Sequence, residues 1–190
     1  MLSTLIELQR LKRLDRTGWV LRGLPSGTES VAAHSFGVAT TAMFLADQLI
    51  ASGVEIDIPR TLRMALIHDW AEARIGDIPR TGIRYFGSEV RQEAESKAFA
   101  DIVKGTSHSE TYRELFEDYE KRASLEAKLV KAADVIDLLV QVLAQERAGY
   151  RGLDEFWEVA RVMDFQLTGK AGAVVSEIIG ELLTARAEIR

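Results

Sequence analysis

The sequence of 190 residues contains no cysteine, and this absence removes several kinds of chemistry at once. Disulfide bonds, thiolate metal sites and a cysteine nucleophile are all excluded. A chain without cysteine is consistent with a reducing compartment, where disulfides are rare. We therefore expect a cytoplasmic protein.

Long apolar runs are also missing. The longest stretch without a polar residue or glycine extends only from Ala42 to Ala46, whereas a membrane-spanning helix needs about 20 residues. The N-terminal stretch MLSTLIELQRLKR lacks the continuous apolar core of a signal peptide and predicts a short amphipathic helix instead. We expect a soluble protein with no membrane partner.

An excess of basic residues is absent as well. The formal net charge is -5, which argues against a nucleic-acid partner held by electrostatics, although a local basic pocket for a small anion stays open. Apolar residues make up 47% of the chain, which excludes a disordered protein. The length suits one domain with a sizeable core, so we expect a single domain over residues 1–190.

Proline is scarce, with three residues in the whole chain, and apolar residues recur mostly at helical spacing. Alternating strand patterns are few, so the sequence predicts an all-α fold. Capping residues and breakers place the helices as follows: 3–14, from Ser30 to before Gly53, from Asp57 and Pro59 to near Gly76, 88–104, 109–122, 124–148, a short one around Phe156, and a last one whose apolar stripe is Val174, Val175, Ile178, Ile179, Leu182 and Leu183.

Two of these helices are apolar on nearly every side, which predicts that they are buried at the centre of the fold. They contain VAAHSFGVATTAMFLA (31–46) and MALIHDWA (64–71), and each carries a histidine, His34 and His68. A lone histidine in an apolar helix is more often a core residue than a ligand. Two of them, one followed directly by Asp69, favour a functional site, because burying ionisable groups is costly without a partner or a metal.

A further pair of acids interrupts the apolar helix EAKLVKAADVIDLLVQVL (126–143). These are Asp134 and Asp137. Taken alone, this pair of acids has two equally good interpretations. An acid here either forms an ion pair with Lys131 or Arg147, or it is a metal ligand.

Together, His34, His68, Asp69 and Asp134 form the pattern H…HD…D. Two imidazoles and two carboxylates suit one divalent metal such as Mn, Co, Fe, Ni or Zn. Four protein ligands leave coordination positions open for water and a phosphate oxygen, as in a catalytic rather than a structural site. The pattern therefore predicts a catalytic metal centre.

These residues lie in longer stretches that resemble a known family. The stretches are LKRLDRTGWVLRG (11–23), ESVAAHS (29–35), ALIHDWAEARIGDIP (65–79), SLEAKLVKAADVIDLLVQ (124–141) and GLDEFW (152–157). The sequence resembles the HD-domain metal-dependent phosphohydrolases, and more closely their 5′-deoxynucleotidase branch, which hydrolyses deoxyribonucleoside 5′-monophosphates. The combination of RTGW, ESV..H, HD..E…GDI and EAK.VK..D is typical of that branch. The resemblance implies a single compact helical HD-domain bundle, a metal-dependent phosphomonoesterase activity on a small-molecule nucleotide, and a homodimer.

The resemblance also implies catalytic roles for two acids. Glu72 matches a glutamate that lies beside the metal-bound water and supports acid/base chemistry. Asp77 matches an aspartate associated with the nucleophilic water or the leaving-group proton. A solvated acid at a helix end is the alternative for Glu72, and a turn residue chosen for its local hydrogen bonds is the alternative for Asp77.

Three further residues match positions on the substrate side of the family's site. The resemblance places Arg16 near the phosphate and Trp19 near the sugar, where it helps to exclude a ribose 2′-hydroxyl. It implies that Glu29 orients His34 or lies near the metal. The alternatives are a surface charge for Arg16, loop packing for Trp19 and a solvated loop acid for Glu29. Thr17 is a weaker candidate in the same motif.

The number of histidines bears on the metal count. Dinuclear sites of this superfamily use histidines beyond the H…HD…D set, and the remaining one here, His108, lies in the polar stretch GTSHSE and is expected at the surface. One divalent ion is therefore expected, and a second, acid-held ion such as Mg stays open. Three other functions also stay open: another HD enzyme such as a phosphodiesterase or a nucleoside triphosphate hydrolase, a non-catalytic nucleotide-binding module, and a purely structural helical protein.

Overall fold

The computed structural model describes residues 1–189, which form helices and connecting turns without a β-strand. This confirms the all-α prediction. None of the described helices is long and apolar enough to cross a membrane. The helices are α1 (Leu2–Leu8), a 3₁₀ turn (Gln9–Lys12), α2 (Thr17–Val20), α3 (Val31–Ala51), α4 (Ile58–Ile67), α5 (Glu72–Ile75), α6 (Arg80–Phe86), α7 (Ser88–Val103), α8 (Ser109–Lys121), α9 (Leu125–Arg147), α10 (Asp154–Val162) and α11 (Gly169–Ala187).

The helices are grouped into two compact units. The first unit comprises Met1–Phe36 and Leu66–Lys121, and the second comprises Gly37–Ala65 and Arg122–Arg190. Each unit therefore draws on two separated segments of the chain. The single domain expected over residues 1–190 stays a prediction.

In the first unit, α7 packs against α1, α5, α6 and α8. An aromatic cluster fills part of this packing. The rings of Phe99 and Phe116 are stacked with centroids 4.2 Å apart, and Trp70 lies 6.3 Å from Phe99 and 5.9 Å from Tyr112. Stacked aromatic side chains contribute large apolar contact areas, so this cluster helps to fix the segment that follows α4.

In the second unit, α9 packs against α10 and α11, and a buried arginine joins all three. Arg186 of α11 donates from Nε and Nη2 to the two carboxylate oxygens of Glu146, at 3.0 and 2.9 Å, and from Nη2 to Asp154 at 2.7 Å. Its guanidinium lies 4.8 Å from the ring centroid of Trp157. Burial acts to lower the pKa of Arg186, but the two carboxylates outweigh it and raise that pKa.

Two predicted helix starts are confirmed by capping bonds. The Ser30 hydroxyl accepts the amide of Ala33 at 3.1 Å, ahead of α3, and the Ser124 hydroxyl accepts the amide of Ala127 at 3.0 Å, ahead of α9. A serine at this position satisfies an amide that has no partner within the helix. The bounds predicted for α7, α8 and α9 agree with the structure to within one residue at either end.

The helix predicted from residue 57 to near residue 76 is wrong, because the structure divides it into α4 and α5. In the turn between them, the amide of Trp70 donates to the carbonyl of Ile67 at 3.0 Å, and the amide of Glu72 donates to that of Asp69 at 3.1 Å. These bonds span three residues rather than the four of an α-helix. His68 and Asp69 consequently lie in a tight turn and not within a helix.

The first predicted helix also differs, since α1 ends at Leu8 and continues as a 3₁₀ turn to Lys12. The short helices α2 and α6 were not expected from the sequence.

The expectation that residues 31–46 are buried on every side is wrong in part. The side chains of Phe36 and Phe44 are 72% and 64% exposed, whereas His34 and Leu45 are buried. Gly37 lies against Asp137, and a Cβ atom added at Gly37 would be 2.0 Å from Asp137 Oδ1. Only glycine therefore fits at this position of α3 with Asp137 in place.

Candidate active site

The histidines of the predicted metal centre are held by short-range hydrogen bonding. The amide of His34 donates to the carbonyl of Ser30 at 3.0 Å in the first turn of α3, and His68 begins the tight turn after α4. Both histidine side chains are only 1% exposed. The serine cap and the turn thus place two imidazoles inside the first unit.

Three potential ligand atoms converge there. His68 Nε2 lies 3.1 Å from Asp69 Oδ2, and His34 Nε2 lies 3.8 Å from the same oxygen. The two imidazole ring centroids are 5.5 Å apart. Two imidazole nitrogens lie within 3.8 Å of one carboxylate oxygen. These atom types form a donor set that suits a borderline divalent metal such as Mn, Co, Fe, Ni or Zn.

The fourth predicted ligand, Asp134, belongs to the second unit and lies on α9. Its Oδ2 accepts a hydrogen bond from Lys131 Nζ at 2.7 Å, and its side chain is 15% exposed. The pairing that the sequence left open for this acid is therefore present. Its role as a metal ligand stays a prediction.

Arg16 joins two of the predicted site acids. Its Nη1 donates to Asp69 Oδ2 at 3.0 Å, and its Nε lies 3.7 Å from Asp77 Oδ2. Burial acts to raise the pKa of the Asp69 carboxyl, but His68, Arg16 and His34 outweigh it, so that pKa lies well below its ordinary value. Asp69 is therefore ionised, as a metal ligand must be.

Asp77 follows a backbone conformation that suits glycine. Gly76 ends α5 with φ 78° and ψ 164°, a region that residues with a Cβ atom rarely adopt. The next residue is Asp77, and its Oδ2 accepts the amide of Thr17 at 2.7 Å. The glycine of the GDIP motif thus sets the direction of the acid that comes after it.

Glu72 is the site acid whose pKa is raised. Burial, and then the negative charges of Asp69 and Asp77, raise the pKa of its carboxyl well above the ordinary value. The residue also lines a groove of about 600 Å³ beside Arg10 and Arg13. An acid whose pKa is raised keeps its proton to a higher pH than an ordinary carboxyl, and it can act as a proton donor.

The raised pKa of Glu72 predicts a pH-dependent cost in stability. The unfolded chain loses this proton near the ordinary value of 4.5, whereas the folded protein keeps it to a higher pH, so the free energy of unfolding falls as the pH rises between the two values. Glu72→Gln cannot ionise. In metal-free protein kept in chelator, we expect the variant to gain stability relative to the wild type from pH 5 to pH 8, measured by urea denaturation.

A matched substitution controls for the loss of one negative charge. Glu110→Gln removes the same charge at a side chain that is 73% exposed. Parallel stability curves for Glu72→Gln and the wild type across this pH range would contradict the prediction.

Trp19 and Glu29 are joined by a side-chain hydrogen bond, and both contact the main chain of Arg16. The indole of Trp19 is 2% exposed, and its Nε1 donates to Glu29 Oε2 at 2.6 Å. The amide of Arg16 donates to the Glu29 carbonyl at 3.0 Å. Glu29 is therefore buried and paired rather than solvated, and the pair fixes the segment that carries Arg16.

Two residues of the site were missed or weakly predicted by sequence reasoning. The ring of Tyr119 lies 5.4 Å from that of His68, at an interplanar angle of 65°, and no motif identified it. Thr17 bonds to Asp77 through both its amide and its hydroxyl, and its place within RTGW was the available signal. His108 is exposed, as expected.

Comparisons with known proteins identify the family of the chain. The family described as HD domain matches residues 8–164. The mouse protein named 5′-deoxynucleotidase HDDC2 is 33% identical over 181 residues, covering 93% of this chain and 83% of that protein. Its human counterpart is 36% identical over 138 residues, covering 72% of this chain and 64% of that protein. A conserved hypothetical protein from Pyrococcus furiosus has a TM-score of 0.84 and 38% identity, covering 97% of this chain and 99% of that one. The chain therefore belongs to the HD-domain family.

Proposed function

We propose that the protein is a metal-dependent phosphomonoesterase that hydrolyses deoxyribonucleoside 5′-monophosphates to a deoxynucleoside and phosphate. The observation that carries this proposal is the convergence of His34 Nε2 and His68 Nε2 on Asp69 Oδ2, beside the guanidinium of Arg16. The relatives named 5′-deoxynucleotidase support the substrate class.

In this proposal, His34, His68, Asp69 and Asp134 hold one divalent ion. When bound, the ion supplies Lewis acidity toward phosphate oxygens and water. A second, acid-held ion such as Mg is compatible with the same cluster, because carboxylates suit that metal.

The residues around the ligands supply binding and proton transfer. Arg16 presents a planar guanidinium that can donate two parallel hydrogen bonds to phosphate oxygens. Glu72, with its raised pKa, donates a proton to the departing 5′-oxygen. Asp77 accepts a proton from the attacking water. The two acids thus take different parts of one hydrolysis, and no covalent intermediate is required.

Trp19 and Glu29 act on the sugar side. The indole of Trp19 is 2% exposed and its N–H is taken by Glu29, so any part of the ring that a bound nucleotide reaches is carbon surface. A carbon surface disfavours an added hydroxyl, but such discrimination is limited to about a hundredfold. We therefore propose a preference for deoxyribose rather than strict exclusion of ribose.

A substrate panel tests the proposal. Protein loaded with Mn or Co should release phosphate from deoxyribonucleoside 5′-monophosphates faster than from ribonucleotides, by up to about a hundredfold, and slowly or not at all from 3′-monophosphates. Release of pyrophosphate or triphosphate from triphosphates would favour another HD enzyme. Binding of nucleotides without turnover would favour a non-catalytic module.

The place and assembly of the protein are further proposals. The cytoplasm and a homodimer are the location and state that the sequence and its resemblance imply. A molar mass measured by light scattering, equal to that of one chain, would contradict the homodimer.

A further inference from the structure

Thr17, the first residue of α2, donates two hydrogen bonds to Asp77, which lies between α5 and α6 in the first unit. The amide of Thr17 donates to Asp77 Oδ2 at 2.7 Å, and the Thr17 hydroxyl donates to the backbone carbonyl of Asp77, also at 2.7 Å. One residue thus contacts both the side chain and the main chain of a residue 60 positions away. Such a pair of bonds restricts where the Asp77 carboxyl lies and how it is rotated.

These contacts make the two oxygens of the Asp77 carboxyl unequal. Oδ2 accepts the Thr17 amide and lies 3.7 Å from Arg16 Nε. Over the described residues 1–189, Oδ1 receives no hydrogen bond from another protein group. The side chain is 11% exposed, so a small part of it stays accessible. Oδ1 is therefore the oxygen available for a proton.

The backbone on both sides supports this orientation. Gly76 delivers the chain to Asp77 in a conformation suited to glycine, and Thr17 opens α2, where the first amides have no partner within the helix. Asp77 Oδ2 supplies a partner for one of these amides. The Thr17 hydroxyl donates to the Asp77 carbonyl. The main chain of Asp77 is therefore held in place as well as its carboxyl group.

We infer that Thr17 is a positioning residue. Its hydroxyl and amide hold Asp77 so that Oδ1 faces the attacking water, from which Asp77 accepts a proton. This inference rests on the proposed function, because it assigns Thr17 a part in the same hydrolysis. A small displacement of a proton-transfer group lowers kcat more than it weakens substrate binding.

Thr17→Val tests the hydroxyl alone, because valine keeps the shape and the amide but cannot donate to the Asp77 carbonyl. With the metal-loaded full chain and deoxyadenosine 5′-monophosphate, kcat should fall about tenfold while KM changes less than about twofold, the size expected for one hydrogen bond. Thr17→Ser, which keeps the donor, should restore most of the wild-type rate.

Two further variants separate positioning from general damage. Thr106→Val removes another partly buried hydroxyl that donates to a backbone carbonyl, at 2.8 Å from Val103, and should leave kcat unchanged. In an Asp77→Asn background, Thr17→Val should lower the residual kcat by less than about twofold, because a positioning residue has no effect once its target is lost.

The outcomes distinguish this inference from the function on which it rests. A wild-type protein that turns over the substrate while Thr17→Val retains the full rate would overturn the role of Thr17 alone. An equal tenfold loss in the wild-type and Asp77→Asn backgrounds would do the same, because Thr17 would then act independently of Asp77. A metal-loaded wild type that hydrolyses no phosphate monoester would overturn the proposed function and the inference together. Circular dichroism of each variant identifies any that fails to fold.

Discussion

Replacing His68 with alanine is expected to lower kcat for phosphate release by at least about a hundredfold. The imidazole nitrogen Nε2 of His68 lies 3.1 Å from Asp69 Oδ2, so the substitution removes a proposed metal ligand. A catalytic metal contributes several kcal/mol to transition-state stabilisation, and each 1.36 kcal/mol corresponds to a factor of ten in rate. Elemental analysis of the purified variant should show less than one equivalent of bound transition metal.

Two variants control this experiment. His108→Ala makes the same substitution at an exposed histidine and should keep both metal and activity. Asp69→Asn tests the centre without opening a cavity, because it keeps the shape and removes the charge. If folded His68→Ala protein retained full metal-dependent activity, the proposed metal centre would be wrong.

Replacing Arg186 with leucine is expected to lower the free energy of unfolding by about 3–5 kcal/mol. The side chains of Arg186 and Glu146 are 7% and 9% exposed, so the substitution leaves a buried carboxylate without its cation. That situation costs more than the ion pair itself contributes, because the charge has already been removed from water. Urea denaturation of the purified variant measures the loss.

The same cluster contains a matched control. Asp154 also contacts Arg186, but its side chain is 67% exposed, so Asp154→Ala should cost less than about 1 kcal/mol. Replacing Arg186 and Glu146 together by leucine should recover much of the stability lost in the single variant. Equal losses for Arg186→Leu and Asp154→Ala would show that burial does not control this cluster.

Much of the fold could be predicted because helix ends carry local signals. Ser30 and Ser124 are capping residues that act within three positions of themselves, and the apolar periodicity of α9 is a property of its own residues. The break between α4 and α5 carried no such signal, since IHDWAE contains neither glycine nor proline. The contacts of this turn come from distant residues, such as the bond between Arg16 and Asp69, which a local pattern does not contain.

The proximity of some candidate site residues could also be predicted, whereas their roles stay predictions. Charged residues in apolar segments identified His34, His68 and Asp69, because burial without a partner is costly. The pairing of Trp19 with Glu29 and that of Thr17 with Asp77 could not be predicted from spacing, since each depends on how a loop folds back. The motif indicated that Thr17 is near the site but not which atoms it contacts.

The positions of the three tryptophans have a practical consequence. Trp19 lies beside Arg16 in the candidate site, Trp70 lies in the aromatic cluster of the first unit, and Trp157 lies under the guanidinium of Arg186. The segments that form the second unit contain Trp157 and no other tryptophan. A chain with phenylalanine at positions 19 and 70 would therefore emit tryptophan fluorescence from the second unit alone. Excitation selective for tryptophan over tyrosine would allow the melting of that unit to be followed without an attached dye.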